Sequence, residues 1–273
     1  MTKIISEYRN FSILDITRGI KNNDFTKFEI LNSCVHFIEK YEEKINAWES
    51  FLDLENKLFI EDTSTNSNLI GVPFGVKDVI NTKHFNTEMG SKIWENHKAG
   101  NNARIVSRFF NSGALLIGKT VTSEFAVDGK NKTRNPWNTN LVPGTSSSGS
   151  AAAVAAGMVP VTVGTQTLGS IIRPASWCGV YGMKPTYGLI PRTGILKTTD
   201  TLDTVGFFTR SVNDMKLLLE ETVLNDDNHP TIKQNLSDQA KINNSFKLGY
   251  LKISESKNDS KLYKFINKLC NIK

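Results

Sequence analysis

Residues 143–157 read PGTSSSGSAAAVAAG and place three consecutive serines, Ser146 to Ser148, between glycines and directly ahead of an alanine-rich segment. A second serine-bearing turn, GTQTLGSIIRP, follows at 164–174 and contains Ser170. Hydroxyl groups on glycine-rich backbone beside the start of a helix can carry nucleophilic chemistry. The same pattern also suits a flexible loop or an anion-binding turn, so the choice depends on the sequence around it.

Around these two turns, short apolar runs alternate with amphipathic segments. Buried strands are predicted at 70–80, 115–119 and 159–163, and helices at 11–52, 104–112 and 149–156. In the first helical region, Ser12 with Asp15 and Thr26 with Glu29 resemble capping boxes. Strands that alternate with helices predict an α/β fold with a largely covered sheet.

The last fifty residues change in character. Residues 225–246 are rich in Asn, Asp, Lys and Gln, which predicts an exposed loop. A strand is then predicted at 247–251 and a helix at 261–270. The chain therefore stops just after what resembles the start of a new strand–helix unit.

Composition excludes several classes of function. The net charge of +6 comes from scattered basic residues without interleaved aromatic residues, which gives no support to nucleic-acid binding. Cys34, Cys178 and Cys270 form an odd, widely spaced set that does not indicate a disulfide framework, and no Cys-x-x-Cys pair indicates a zinc site. The N-terminus lacks the apolar core of a signal peptide, and the apolar run at 151–163 is too short to span a bilayer. We expect a cytoplasmic protein with no membrane partner, no metal ion and no cofactor.

Several nucleophile systems can be excluded, and a serine–lysine system remains. None of the four histidines, His36, His84, His97 and His229, lies in a glycine-rich turn, so a Ser-His-Asp triad has no support. Lys77 lies inside an apolar run, where loss of hydration would lower its pKa enough to make it a base. Alternatively, Lys77 ends a strand and keeps its ammonium group in water.

A set of motifs, ordered along most of the chain, resembles the amidase signature family. The motifs are GVPFGVKD at 71–78, GKTVTSEFA at 118–126, NPWN at 135–138, the two serine-bearing turns, CGVYGMKPTYG at 178–188 and LDTVG at 202–206. Members of this family hydrolyse or transfer amides. The resemblance implies an α/β fold whose mixed, twisted β-sheet is covered by helices on both faces, with the C-terminal part missing here.

The same resemblance implies roles for individual residues. Ser170 corresponds to the nucleophile, Ser146 to a bridging serine held by a cis peptide bond, and Lys77 to the base. The oxyanion would be held by backbone N–H groups of the nucleophile loop, at Thr167, Leu168, Gly169 and Ser170 itself. Ser147 is expected to add a supporting hydrogen bond.

Three departures from the family pattern leave the function open. Gln166 stands where many members have Asp, Leu168 where they have Gly, and Arg173 comes one position later than usual. This arrangement resembles a branch of general amidases more than the amidotransferase component that acts on misacylated tRNA. A hydrolase of small carboxamides is therefore the first hypothesis. The others are a component of an amidotransferase complex and a truncated, non-catalytic relative.

The resemblance also predicts the organisation of the chain. A single domain would cover 1–273 and be incomplete at its C-terminus, with N-terminal helices at 1–60, the signature core at 61–220, and a loop and the start of the C-terminal part at 221–273. Expected partners are a small-molecule amide substrate and no nucleic acid. An incomplete sheet exposes edge strands and apolar faces, which favours a homo-oligomer or a complementing C-terminal fragment.

Overall fold

The computed structural model describes residues 3–54, 67–127 and 129–223, together with Lys264 and Lys268. The helices in these ranges are α1 (Ile13–Lys21), α2 (Lys27–Ile45), α3 (Arg104–Asn111), α4 (Ser148–Ala155), α5 (Ile172–Cys178) and α6 (Val212–Thr222). The strands are β1 (Trp48–Phe51), β2 (Pro73–Lys77), β3 (Leu115–Thr120), β4 (Val161–Gln166), β5 (Tyr181–Met183) and β6 (Thr204–Thr209). Short 3₁₀ helices occur at Ser6–Asn10, Lys92–Trp94 and Glu124–Ala126.

The six strands form one mixed sheet in the order β1-β3-β2-β4-β6-β5. The central strand β2 is parallel to both of its neighbours, β3 and β4, whereas the outer pairings are antiparallel. Every residue of β2 and β3 is buried, as expected for parallel strands covered on both sides.

Helices cover both faces of this sheet, which confirms the predicted fold class. On one face, Phe74 of β2 packs against Phe109 of α3 with ring centroids 4.6 Å apart. On the other face, the hydroxyl of Thr162 in β4 donates a hydrogen bond to the carbonyl of Ser150 in α4. Because side chains alternate along a strand, Lys77 lies on the α4 face, together with Gly75 and unlike Phe74.

The sequence predicts helix over 11–52; this is right for α1 and α2 and wrong for the last residues of the range. Both capping boxes are present, at Ser12 with Asp15 and at Thr26 with Glu29. Helix α2 ends at Ile45, however, and the residues after it form strand β1 instead of more helix. Asn46 adopts a left-handed conformation, and the carboxylate of Glu42 accepts hydrogen bonds from the backbone N–H groups of Ala47 and Trp48. This turn redirects the chain into an antiparallel pairing with β3.

The C-terminal predictions fall largely outside the described residues. Elements up to α6 belong to a compact unit over Met1–Lys233, and Gln234–Lys273 form a second unit. The loop predicted at 225–246 and the strand predicted at 247–251 are not described. Within the helix predicted at 261–270, Lys264 and Lys268 are described, and both are helical. The proposed domain boundaries therefore stay a prediction.

The start of α4 reaches the sheet closely because position 149 is a glycine. A Cβ atom at Gly149 would lie 2.2 Å from the carbonyl oxygen of Ala47 and 2.4 Å from the backbone nitrogen of Val121. Both of these are backbone atoms that cannot rotate away. The serines that precede this glycine are thereby held against the middle of the sheet.

We expect Gly149→Ala to lower the free energy of unfolding by about 1–3 kcal/mol or more, because overpacking against backbone forces the helix away from the sheet. Gly129→Ala is the matched control, since nothing lies within 4 Å of a Cβ atom at Gly129. Its effect should stay within about 0.5 kcal/mol. Denaturant unfolding of both variants measures the difference, and equal midpoints would contradict the packing described here.

Candidate active site

The centre of the site is a lysine amine buried against a serine hydroxyl. Lys77 ends the central strand β2, and its side chain is fully buried. Its Nζ atom lies 2.6 Å from Oγ of Ser146 and donates a 3.0 Å hydrogen bond to Oγ1 of Thr165. Ser146 is itself 1% exposed. The alternative of a solvated strand-end lysine is thus wrong, since this amine lies inside the protein.

Burial changes the acid–base character of this amine. Loss of hydration lowers the pKa of Lys77 from its usual value near 10.5 to about 7, although the negative charge of Asp203 opposes the shift. At neutral pH, Lys77 is therefore a neutral amine in a large fraction of the molecules. Such an amine has a lone pair that can accept the proton of the neighbouring Ser146 hydroxyl.

Ser146 is held from its backbone as well as from its side chain. The peptide bond between Thr145 and Ser146 is cis, as the family resemblance implies. Arg173 of α5 contacts the residue on the other side of that bond, with Nε and Nη2 donating to the Thr145 carbonyl at 3.1 and 2.9 Å. Nη2 also donates to the Thr145 hydroxyl at 2.9 Å. Arg173 thus ties the helix after Ser170 to the loop that carries Ser146.

The two serines after Ser146 support the loop. Ser147 is fully buried, and its hydroxyl donates a 3.1 Å hydrogen bond to the carbonyl of Thr165. Ser148 is also fully buried, and its hydroxyl accepts a 2.8 Å hydrogen bond from the side chain of Asn131. Ser147 therefore fixes the strand end that contacts Lys77, whereas Ser148 anchors the loop at 129–133.

Ser170 lies at the end of the loop that joins β4 to α5 and is half-buried. Its carbonyl accepts a 3.3 Å hydrogen bond from the backbone N–H of Ser147, which places the two serine-bearing turns side by side. Among the described residues, no hydrogen bond joins the hydroxyls of Ser146 and Ser170. Catalytic hydrogen bonds are often long in the absence of substrate and tighten when it binds.

Gln166 shapes the turn before Ser170. Its Oε1 atom accepts hydrogen bonds from the backbone N–H groups of Ile171 and Ile172, at 2.8 and 2.9 Å. Its Nε2 atom donates to the carbonyl of Leu168 at 3.1 Å. The amide group can accept and donate at once, so a single side chain closes both ends of the turn.

The three loop residues between Gln166 and Ser170 differ in exposure. Thr167 and Gly169 are half-buried, whereas the side chain of Leu168 is 86% exposed. The Thr167 hydroxyl donates a 2.5 Å hydrogen bond to the carboxylate of Asp203. The side chain of Leu168 therefore leaves the interior of the loop unobstructed.

A second buried lysine lies on the opposite face of the sheet. Lys119 of β3 pairs with Val76 of β2, while its neighbour Thr120 pairs with Lys77. Its Nζ atom lies 3.3 Å from the carboxylate of Asp78 and donates to the Ile80 carbonyl at 2.6 Å. Burial lowers the pKa of Lys119 to about 8, and the charge of Asp78 limits the fall. Because its partner is a carboxylate, Lys119 forms a structural ion pair with Asp78.

A cavity of about 520 Å³ lies beside the signature loop. It reaches Thr145, the residue before Ser146, and three of its lining side chains are cationic, those of Lys130, Arg134 and Arg173. Trp177 supplies aromatic surface. Among its described lining residues there is no carboxylate. This volume is within the range of small-molecule sites.

Comparison with known proteins identifies the family. A sequence profile described as Amidase matches residues 29–265. The chain belongs to the amidase family. The A-subunit of the glutamyl-tRNA(Gln) amidotransferase from Legionella pneumophila (strain Corby) is 36% identical over 225 residues, which cover 77% of this chain and 46% of the relative.

Two solved amidase-fold structures are also similar. The A-subunit of the glutamyl-tRNA(Gln) amidotransferase from Thermotoga maritima matches with a TM-score of 0.76 and 31% identity, over 85% of this chain and 51% of that one. The native peptide amidase of Stenotrophomonas maltophilia matches with a TM-score of 0.73 and 28% identity, over 82% of this chain and 50% of that one. The chain thus spans about half the length of the relatives it matches.

Two further features of the described residues bear on other functions. None of the helices there has the length and apolar character that crossing a membrane requires. Likewise, no group of three or more His, Cys, Asp or Glu side chains in those ranges is arranged to hold a metal ion.

The sequence points to Lys77, Ser146 and Ser170 but not to the residues that hold them. Thr165, Gln166, Arg173 and Asp203 contact the catalytic candidates or their loops through hydrogen bonds. In the sequence, Gln166 and Arg173 stand out only as departures from the family pattern. The signal that could have found them is their position, since both flank the nucleophile turn.

The buried amine should be visible in the pH dependence of stability. Between pH 7 and 10.5 the unfolded chain keeps a proton on Lys77 that the folded chain has lost, so this residue makes the protein more stable as the pH rises. Below pH 7 Lys77 is protonated in both the folded and the unfolded chain, so the folded chain bears the full cost of burying the ammonium group. We expect the stability of Lys77→Met relative to wild type to increase as the pH falls from 9 to 6.

Guanidinium unfolding of both proteins at pH 6 and pH 9 gives this difference directly. Loss of the hydrogen bonds to Ser146 and Thr165 adds an offset that does not depend on pH. Lys216→Met is a matched control, because Lys216 is 75% exposed and its relative stability should not change with pH. A pH-independent difference for Lys77→Met would show that the amine is not buried as described.

Proposed function

We propose that this chain carries the catalytic half of an amidase that hydrolyses the C–N bond of a small carboxamide. Ser170 is the nucleophile, Ser146 the bridging relay and Lys77 the base. The observation that carries the proposal is the 2.6 Å contact between the Lys77 amine and the Ser146 hydroxyl inside the protein. A neutral lysine in contact with a serine is a chemically competent start for a proton relay.

The reaction follows from this arrangement in balanced steps. Neutral Lys77 accepts the proton of Ser146, and Ser146 accepts the proton of Ser170 as its oxygen bonds to the amide carbonyl carbon. The relay then returns a proton to the amide nitrogen, the C–N bond breaks, and an amine or ammonia leaves. Water attacks the resulting ester by the same route and releases the carboxylic acid and free Ser170.

The developing oxyanion is assigned to the backbone N–H groups of Thr167, Leu168, Gly169 and Ser170. Gln166 supports this assignment, because its side chain binds the Leu168 carbonyl and the N–H groups of Ile171 and Ile172 on either side of the turn. Fixed donors of this kind stabilise the transition state because they need no reorganisation during the reaction. The substrate would be a small-molecule amide whose carbonyl group lies against Ser170.

A partner that covers part of the surface, either a second copy of the chain or a complementing C-terminal fragment, is part of the proposal. Apolar side chains around the nucleophile loop are exposed, with Leu168 at 86%, Leu202 at 49% and Ile172 at 48%. The matched relatives are about twice as long as this chain. A cytoplasmic location is also proposed, consistent with the free thiols of Cys34 and Cys178.

The proposal predicts that Ser170→Ala abolishes amide hydrolysis, with a loss of at least about 10³-fold in kcat/KM, as for removal of other serine nucleophiles. The measurement is release of ammonia or aniline from aliphatic and aryl amides, together with labelling by a fluorophosphonate probe. Ser176→Ala is the control, because Ser176 is an exposed serine on α5, the helix that follows Ser170. Activity and labelling that survive Ser170→Ala would identify a different nucleophile.

A second candidate function is that of one component of an amidotransferase complex. It is favoured by the 36% identity to the A-subunit of a glutamyl-tRNA(Gln) amidotransferase. The measurement is release of ammonia from glutamine, with and without added partner subunits and tRNA. Glutamine hydrolysis that depends on those additions would favour this candidate, whereas turnover of simple amides by the chain alone would favour the hydrolase. Absence of both activities and of probe labelling would support the non-catalytic alternative.

A further inference from the structure

Asp203 lies where the sheet brings two parts of the site together. It directly precedes β6, which runs antiparallel to β4, and Thr204 pairs with Gln166 at the end of that ladder. Because the strands run in opposite directions, the residue before Thr204 faces the residue after Gln166. That residue is Thr167, the first of the nucleophile loop.

The carboxylate of Asp203 is buried and fully engaged. Oδ1 accepts from the hydroxyls of Thr167 at 2.5 Å and Thr199 at 3.1 Å. Oδ2 accepts from the backbone N–H groups of Thr198 at 2.6 Å and Thr199 at 2.9 Å. Arg192 lies 3.9 Å away. Burial alone would raise the pKa of Asp203, but these hydrogen bonds outweigh it and lower the pKa, so the group is a fixed negative charge.

The sheet also brings Asp203 near the buried amine, because its partner Thr167 follows two residues after Thr165, which accepts a hydrogen bond from Nζ of Lys77. Of the charged groups near Lys77, Asp203 is the one that favours its protonated form. The opposite charges of Asp78 and Lys119 form an ion pair with a separation of 3.3 Å. Lys119 also lies on the opposite face of the sheet from Lys77. Arg173, on α5, is directed to Thr145. The remaining neighbours, β4 and α4, contain no titratable residue.

We propose that Asp203 is a positioning residue with two roles, holding the Thr167 end of the nucleophile loop and supplying the negative charge that acts on Lys77. The first role sets where the loop N–H groups point. The second sets the pH at which the base becomes neutral. The inference rests on the proposed function only for its catalytic meaning, since the contacts and the charge exist without a substrate.

The two roles can be separated by two substitutions. Asp203→Asn removes the charge, so the protonated amine loses its stabilising partner and the Lys77 titration moves to lower pH. Thr167→Val removes the hydrogen bond and leaves the charge, so the titration stays in place. Loss of loop geometry in Thr167→Val is expected to slow acylation of Ser170 by about 10-fold to 100-fold. Thr167→Ser keeps the hydroxyl and should restore the rate.

Two readouts are needed, and one of them does not depend on turnover. NMR of protein labelled at lysine Cε, with the signal assigned through Lys77→Met, follows the titration of the amine in each variant. The rate of fluorophosphonate labelling as a function of pH follows acylation of Ser170. In Asp203→Asn, both midpoints should shift in the same direction, toward lower pH.

Each outcome decides the inference. An unchanged Lys77 midpoint in folded Asp203→Asn overturns the charge role, and equal labelling rates in wild type, Thr167→Val and Thr167→Ser overturn the positioning role. If circular dichroism shows that Asp203→Asn is unfolded, the Thr167 series decides the positioning role, and Asp203→Ser, a second substitution that removes the charge, decides the charge role by the same midpoint. Failure of the proposed function is distinct, because it would abolish Ser170-dependent labelling in the wild type while leaving the NMR titration intact.

Discussion

The site depends on the burial of one amine. Lys77 ends the central strand of the sheet, all of whose residues are buried, and its Nζ atom is left with two hydroxyl partners, Ser146 and Thr165. Neither partner is charged, so the cost of removing an ammonium group from water is not repaid locally. The amine responds by losing its proton near neutral pH. Its lowered pKa is thus a consequence of where the fold places it.

The contrast with Lys119 shows how narrowly this outcome is determined. Both lysines are fully buried on adjacent strands, and burial lowers the pKa of each. Lys119 has a carboxylate at 3.3 Å, which makes it part of a stable pair. Lys77 receives a negative charge only from the more distant Asp203. The difference between a base and an ion pair therefore lies in one contact distance.

Much of the architecture could be predicted from local sequence, because capping boxes, apolar runs and glycine turns are local signals. Ser12 and Thr26 each cap a helix as their pattern indicates. Strand β1 could not be predicted in this way, since it depends on the Glu42 carboxylate and on pairing with β3, more than sixty residues away. A short stretch of sequence does not reveal which distant strand it will pair with.

The residues of the candidate site also differ in whether local sequence could predict them. Lys77, Ser146 and Ser170 could be picked out because they lie in distinctive motifs. The contacts of Arg173 and Asp203 could not, because they join segments about thirty residues apart, Arg173 with Thr145 and Asp203 with Thr167. Their side chains matter through partners that only the folded sheet brings near. Supporting residues of this kind become visible once the register of β4 and β6 is known.

The link between Arg173 and Thr145 also bears on how such a protein can diversify. It joins α5, the helix that follows Ser170, to the loop that carries Ser146. Leu168 belongs to the same turn, yet its side chain points away into solvent. A substitution of Leu168 would therefore change the surface beside Ser170 and leave the contact between Lys77 and Ser146 in place. The turn thus combines a fixed interior with one exposed position that can vary.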